Sequence, residues 1–312
     1  LAAPLRQAWS FSMISTEQAE ELLSAEFPGW GVFTLNPIPG GLTNLNLLIE
    51  TGSGEKFVAR LPGKDTDLFG INRQTEHAIS RVAWEIGIAP EPVAFLAEHE
   101  ILVTRFVEGG PIKTTDPVTI RSVARLLHRL HSAPEVPGTF DLPSVIEDYI
   151  STAKRFNVTH PGQLGEALEF SAEIVNAIGR CPRVSAPCHN DLIAANFLQG
   201  KDQLYLLDWE YAGMGDPYVD LGNCSVNFCM DEAGCRALMK SYLGREPSPS
   251  EMAQLHLLRV LSDLREAMWS YVQVGISTLD VDFHAYGMKH LERFLDNAKS
   301  DSLNTWLGAA GA

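Results

Sequence analysis

His189-Asn190-Asp191-Leu192-Ile193-Ala194-Ala195-Asn196, followed a short strand pattern later by Leu206-Leu207-Asp208-Trp209-Glu210, is the densest polar signal in the chain. Acids bracketed by apolar strand residues are costly to bury unless they meet a ligand or a metal. Asp191 and Asn196 stand five apart in a loop, and Asp208 ends the strand pattern Leu204 to Leu207. Phosphoryl transfer needs such parts: one carboxylate to accept a hydroxyl proton, and an amide and a second carboxylate as hard oxygen ligands for Mg²⁺. Singly these residues read as a turn aspartate, a capping asparagine and a strand-end aspartate. Their order and spacing together point to chemistry.

Working outward toward the N-terminus, Ser15-Thr16 can cap a helix through Phe27. Strand patterns follow at 31–38, 45–50 and 56–61, the last two joined by Thr51-Gly52-Ser53-Gly54-Glu55, a turn composition that predicts a hairpin. A helix is expected over 72–87, then strands over 92–96 and 101–106. The Gly40-Gly41-Leu42-Thr43-Asn44 loop offers backbone N–H groups that can cover phosphates. Arg60 emerges from an apolar strand, and Glu76 on the next helix is placed to pair with it, aiming a guanidinium at nucleotide phosphates. Glu108-Gly109-Gly110-Pro111 has the composition of a linker. The expected division is therefore a lobe over 1–107 and a second over 108–312.

Beyond Asp116-Pro117 the pattern is mainly helical, over 117–132, 144–157, 163–179, 217–228, 231–243, 249–276 and 281–299. The last two carry an acceptor-site candidate. Glu266 and Trp269 stand at i,i+3 on one helix face, and Tyr286 lies on the helix after it. A quaternary ammonium favours aromatic faces plus a carboxylate, because cation–π attraction survives desolvation. The alternative is that Trp269 and Tyr286 are core aromatics.

On His189-Asn190-Asp191-Leu192-x-x-x-Asn196, Asp208-Trp209-Glu210-Tyr211-Ala212-Gly213 and Asp216-Pro217-x-x-Asp220-Leu221-Gly222-Asn223, the chain resembles the choline/ethanolamine kinase and aminoglycoside phosphotransferase superfamily, in its bacterial choline/thiamine kinase-like branch. Gly40-Gly41-x-x-Asn44, Val58-Ala59-Arg60 and Gly87-Ile88-Ala89-Pro90 are weaker matches. The resemblance spans about residues 38 to 290. It implies an α+β, bilobal, protein-kinase-like fold, with a small β-rich N-lobe and a larger, mainly helical C-lobe. It also implies an ATP- and Mg²⁺-dependent small-molecule kinase. Asp191 is then the base, Asn196 and Asp208 the Mg²⁺ ligands, and Gly40, Gly41, Asn44, Arg60 and Glu76 the nucleotide contacts. Phe106, Val107 and Glu108 form the adenine-facing hinge, while His189 and Asp220 brace the catalytic loop. Glu210, Glu266, Trp269 and Tyr286 are the acceptor-side candidates. Glu266 stands where animal choline kinases have a second cage tryptophan, and Asn227 where they place an acid.

The expected acceptor is choline, ethanolamine or a related cationic amino alcohol. A thiamine, sugar or aminoglycoside kinase is the alternative within the class, and a nucleotide-binding pseudokinase the alternative outside it. Composition agrees: 24 Lys and Arg against 39 Asp and Glu give a net charge of −15, which argues against nucleic acid or an anionic membrane as partner. No apolar run approaches the ~20 residues that span a bilayer, and Leu1 to Trp9 lacks the apolar stretch of a signal peptide. A cytoplasmic protein with reduced cysteines is expected from its five unpatterned Cys. His128 and His131 are i,i+3 with no third ligand nearby, so a structural role is expected for them. Walker, G-x-G-x-x-G, H-E-x-x-H and G-x-S-x-G patterns are absent.

Overall fold

A computed structural model describes residues 14–39 and 44–312. Helix α1 (Thr16–Glu26) starts where Ser15 and Gln18 exchange side chain-to-backbone hydrogen bonds, a capping box that satisfies two N–H groups at once. Strands β1 (Phe33–Pro37), β2 (Asn44–Thr51) and β3 (Lys56–Pro62) follow, then α2 (Arg73–Glu85), β4 (Pro92–Leu96) and β5 (Ile101–Arg105). The five strands form one antiparallel sheet in the order β1-β2-β3-β5-β4. Strand alternation then sorts β3 by face. Phe57, Ala59 and Leu61 enter a core with Leu47, Ile49 and Val103, which leaves Val58 and Arg60 on the opposite face, toward the second lobe.

That lobe consists of β6 (Gly109–Pro111), α3 (Pro117–His131), α4 (Leu142–Arg155), α5 (Leu164–Ile178), β7 (Ala186–Cys188), β8 (Phe197–Gly200), β9 (Leu204–Leu206), β10 (Gly213–Gly215), α6 (Pro217–Asn227), α7 (Glu232–Leu243), α8 (Pro249–Ile276), α9 (Phe283–Ala298) and α10 (Asp301–Ala309). Helix α8 is its 28-residue axis, buried along most of its length. The sheets β10-β7 and β6-β8-β9 frame the two polar motifs. Among the described residues no helix is long and apolar enough to cross a membrane.

Most expected elements are present, and the differences are local. Helix α4 begins at Leu142 rather than 144, because Asp141 accepts from the Ser144 N–H and Pro143 suits the first turn. Gly109–Pro111, read as a linker, pairs with β8 as β6. Strands β7 and β10, three residues each, and helix α10 were not expected at all. The Gly40–Gly41 phosphate-loop expectation lies outside the described residues.

Gly222 fixes how α6 meets α8. A Cβ built there would lie 2.7 Å from the Arg259 nitrogen and 2.8 Å from the Leu258 carbonyl carbon, both backbone atoms that cannot swing aside. Gly222→Ala is therefore expected to destabilise the protein by about 1–3 kcal/mol through overpacking, read as a lower midpoint in chemical denaturation. An unchanged midpoint would mean that the two backbones are not in contact in solution.

Candidate active site

The His189–Asn196 segment runs from β7 through a short 3₁₀ turn (Ala194–Asn196) into β8. Its shape is set from below by α6. The fully buried Asp220 accepts from the His189 N–H (2.8 Å) and the Asn190 N–H (2.7 Å), and also faces His131 Nε2 at 3.0 Å. Asn223, one turn later, accepts from the Leu192 N–H at 2.6 Å. Burial pushes the Asp220 carboxyl upward, but the hydrogen bond and charge of His131, together with the His189 contacts, outweigh it and hold its pKa below the ordinary aspartate value. These bonds support Asn190 at φ +65°, a left-handed conformation asparagine tolerates better than most residues.

His189 makes no contact that suits a base. The Asp191 N–H donates to its Nδ1 (3.3 Å), so the ring proton sits on Nε2, facing the Leu207 carbonyl at 2.9 Å. Burial lowers its pKa, which favours the neutral ring. It ties the Asp191 loop to the Asp208 strand end. His131, bonded to Tyr242 and Asp220, is likewise a scaffold residue.

Asp191 and Asp208 both open on one cavity of about 470 Å³. Asn196 lines it as well; its amide donates to the Asp191 carbonyl (2.8 Å) and to Oδ2 (3.2 Å), which reserves its Oδ1 as a ligand atom. Burial pushes the Asp191 carboxyl up to about 7, with Arg265 pulling it down and Glu266, Asp208 and Glu210 adding to the rise. The Asp208 carboxyl is also raised by burial, against the pull of Arg60.

Arg60 meets Glu76 at 2.6 Å, as expected, and also Asp208 at 2.9 Å and Glu210 at 2.9 Å. A second buried cation, Arg73, joins them. It contacts Glu76 (2.7 Å) and Glu210 (3.2 Å) and donates to Asn44 Oδ1 at 2.7 Å, while the Asn44 amide donates to Glu210 at 2.8 Å. Two guanidinium groups thus face three carboxylates across the seam between the lobes. The surplus negative charge, and the hard-oxygen pair Asn196 and Asp208, suit a divalent cation of the Mg²⁺ type. Glu210, expected beside the acceptor, has its carboxylate turned into this cluster, because it balances the two arginines.

The other end of the cavity is lined by Glu266, Trp269 and Tyr286. The Tyr286 hydroxyl donates to Glu266 at 2.7 Å, and the Trp269 and Tyr286 rings meet edge-on at 6.2 Å. Trp269 also donates to the Tyr211 hydroxyl (3.2 Å) and packs against Phe69 and Phe283, so it is a core residue and a cavity wall together. Asn227 stays on the catalytic-loop side, within reach of Leu192 and Asn223. Val58, Leu102 and Thr104 line the N-lobe side, whereas Phe106 and Glu108 do not; the Phe106 N–H is turned back into the sheet, onto the Lys56 carbonyl at 3.0 Å.

Arg73 and Arg265 are the functional-site residues that the sequence did not disclose. Arg265, on α8, lines the cavity and stands 3.9 Å from Asp191. Arg73 left a faint trace, its i,i+3 spacing to Glu76.

Known proteins resemble this chain in sequence and fold. LicA of Haemophilus influenzae is 27% identical over 212 residues, covering 65% of this chain and 61% of that protein, so the chain spans less than two thirds of its length. A thiamine kinase of Shigella boydii is 31% identical over 205 residues, covering 65% of this chain and 69% of that one. A solved structure of a choline/ethanolamine kinase family protein from Mesorhizobium loti superposes with a TM-score of 0.81 at 28% identity, covering 95% and 99% of the two chains. The choline kinase LicA from Streptococcus pneumoniae gives 0.76 at 21% identity, covering 90% and 98%, a likeness of fold. The model of the phosphotransferase enzyme family matches residues 34–258, from β1 into α8, and by that match the chain belongs to the phosphotransferase enzyme family.

Proposed function

We propose that the chain is a small-molecule kinase that transfers the γ-phosphoryl group of ATP to the hydroxyl of a cationic amino alcohol, choline or ethanolamine first. The observation that carries this reading is that Asp191 and the Glu266–Trp269–Tyr286 wall open on the same cavity as Asn196 and Asp208. Relatives named as ethanolamine and thiamine kinases support the class of acceptor.

The roles follow from the residues. Val58, Leu102 and Thr104 give the apolar slot a purine needs, and Arg60, fixed by Glu76 and Glu210, presents a guanidinium to the phosphates. Asn196 and Asp208 would hold Mg²⁺, which when bound neutralises charge on the β- and γ-phosphates. Asp191 lies between that region and the aromatic wall, where it orients the acceptor hydroxyl and takes its proton. Glu266 supplies the counter-charge for the ammonium, with Trp269 and Tyr286 as its π surfaces. Positioning and electrostatics carry most of the rate.

The direct test is MgATP consumption with choline, ethanolamine, thiamine, an aminoglycoside and simple sugars. Turnover with an amino alcohol is expected. Silence across the panel with MgATP binding intact would favour the pseudokinase reading, and turnover of a neutral sugar alone would remove the cationic acceptor. Trp269→Ala is expected to raise the acceptor KM about 10- to 30-fold, the value of a desolvated cation–π contact, and to leave the MgATP KM nearly unchanged. Equal rises in both constants would return Trp269 to the core.

A further inference from the structure

A buried arginine ordinarily meets a carboxylate fork to fork. Arg265, with its side chain 3% exposed, does not. Its nearest carboxylate oxygens are Asp191 Oδ1 at 3.9 Å and Glu266 Oε2 at 4.0 Å, both beyond hydrogen-bonding distance. Its Nε is buried with no hydrogen-bond partner among the described residues. The guanidinium lies over the rings of Tyr211 (4.9 Å) and Phe140 (5.7 Å), which fix its plane. Nη1 donates to the Asn190 carbonyl at 2.9 Å.

That bond is placed to matter. The peptide joining Asn190 to Asp191 is held at its carbonyl by Arg265 and at its N–H by His189 Nδ1. A peptide held at both ends resists rotation, so Arg265 from one side and His189 from the other fix the backbone from which the Asp191 side chain departs toward the Asn196 amide. The same guanidinium stands between the two carboxylates of the acceptor end, Asp191 and Glu266. With it in place the acceptor meets one net negative charge instead of two.

We propose that Arg265 is a positioning residue for the phosphoryl transfer: it aims Asp191 through the Asn190 carbonyl and sets the acceptor end of the cavity to the charge of a monocationic alcohol. The second half rests on the acceptor reading above; the first does not.

The two halves move different constants. Arg265→Met is expected to lower kcat about 100-fold, the cost of a small misplacement of a reacting group. The choline KM should stay level or fall, since a repelling cation has gone, and the MgATP KM should not change. Adding Glu266→Gln returns the site to one negative charge and should raise the choline KM above that of Arg265→Met without restoring kcat. Arg265→Lys, which decides the matter if Arg265→Met does not fold, keeps the cation and loses the planar fork. It should hold the choline KM near wild type while kcat falls about tenfold.

Choline and MgATP KM values rising together as kcat falls would show a general loosening and overturn the proposal. So would a wild-type kcat in both variants. The acceptor reading fails separately, in the wild-type panel. If the wild type uses only a neutral hydroxyl, or only water in slow MgATP hydrolysis, the kcat comparison made on that reaction still decides whether Arg265 aims Asp191.

Discussion

Asp191→Asn is expected to lower kcat by about 10²- to 10⁴-fold, the range for a positioned proton acceptor. The amide has nearly the carboxylate's shape, so the fold and the approach to Asn196 (3.2 Å) have no steric reason to change. What it lacks is the capacity to accept a proton and the negative charge that turns a hydroxyl oxygen toward its target. Neither Glu266 nor Glu210 can stand in. Glu266 is bonded to Tyr286, and Glu210 is held in the arginine cluster. The MgATP KM should stay close to wild type, because Arg60 and its partners are untouched. Full turnover by Asp191→Asn would remove the assignment of the base.

The second large effect falls on stability. Asp220→Ala strips the acceptor from two buried backbone N–H groups and leaves His131 facing a hole. Deleting one member of such a buried charged network costs about 3–5 kcal/mol. Activity should fall with it, since the His189–Asn190 backbone loses its support. The sign of the pH effect follows from the depressed pKa of Asp220. Its folded value lies below its unfolded one, so its contribution is complete above the ordinary aspartate range and is lost as pH falls toward the folded value. The gap in melting temperature between wild type and Asp220→Ala should therefore be widest near neutrality and narrow in acid. A gap that grew in acid would contradict the depressed pKa of Asp220, and an unchanged melting point would show that the network contributes nothing.

The motif arithmetic disclosed the catalytic loop, the Asp208 strand end and the Arg60–Glu76 pair, because each is marked by a polar residue inside an apolar pattern. The antiparallel N-lobe sheet was legible for a similar reason: hairpin turns and alternation are local signals. Arg73 and Arg265 were not. An arginine on a helix reads as a solvated face, and only tertiary packing decides that Arg73 turns into the seam or that Arg265 slides between two rings. The contacts of Glu210 were hidden in the same way, since its neighbours Asn44 and Arg73 are more than a hundred positions away in sequence. Strands β7 and β10 are three residues long and contain Pro187, Gly213 and Gly215, a composition that signals a loop unless the partner strand is known. The direction of the Phe106 N–H, onto the Lys56 carbonyl, is set by pairing between strands and leaves no mark in the sequence.

Helix α8 acts as a ruler. It is braced against α6 at Gly222 by the backbone of Leu258 and Arg259, holds the Asn190–Asp191 peptide from Arg265, and lines the cavity as far as Trp269. At about 1.5 Å of rise per residue, Arg265 and Trp269 stand roughly 6 Å apart along one rigid axis. The spacing between the Asp191 peptide and the proposed recognition wall is thus graduated in turns of this one helix. A different side chain at 266 or 269 would reshape that end of the cavity and leave the distance along the helix the same.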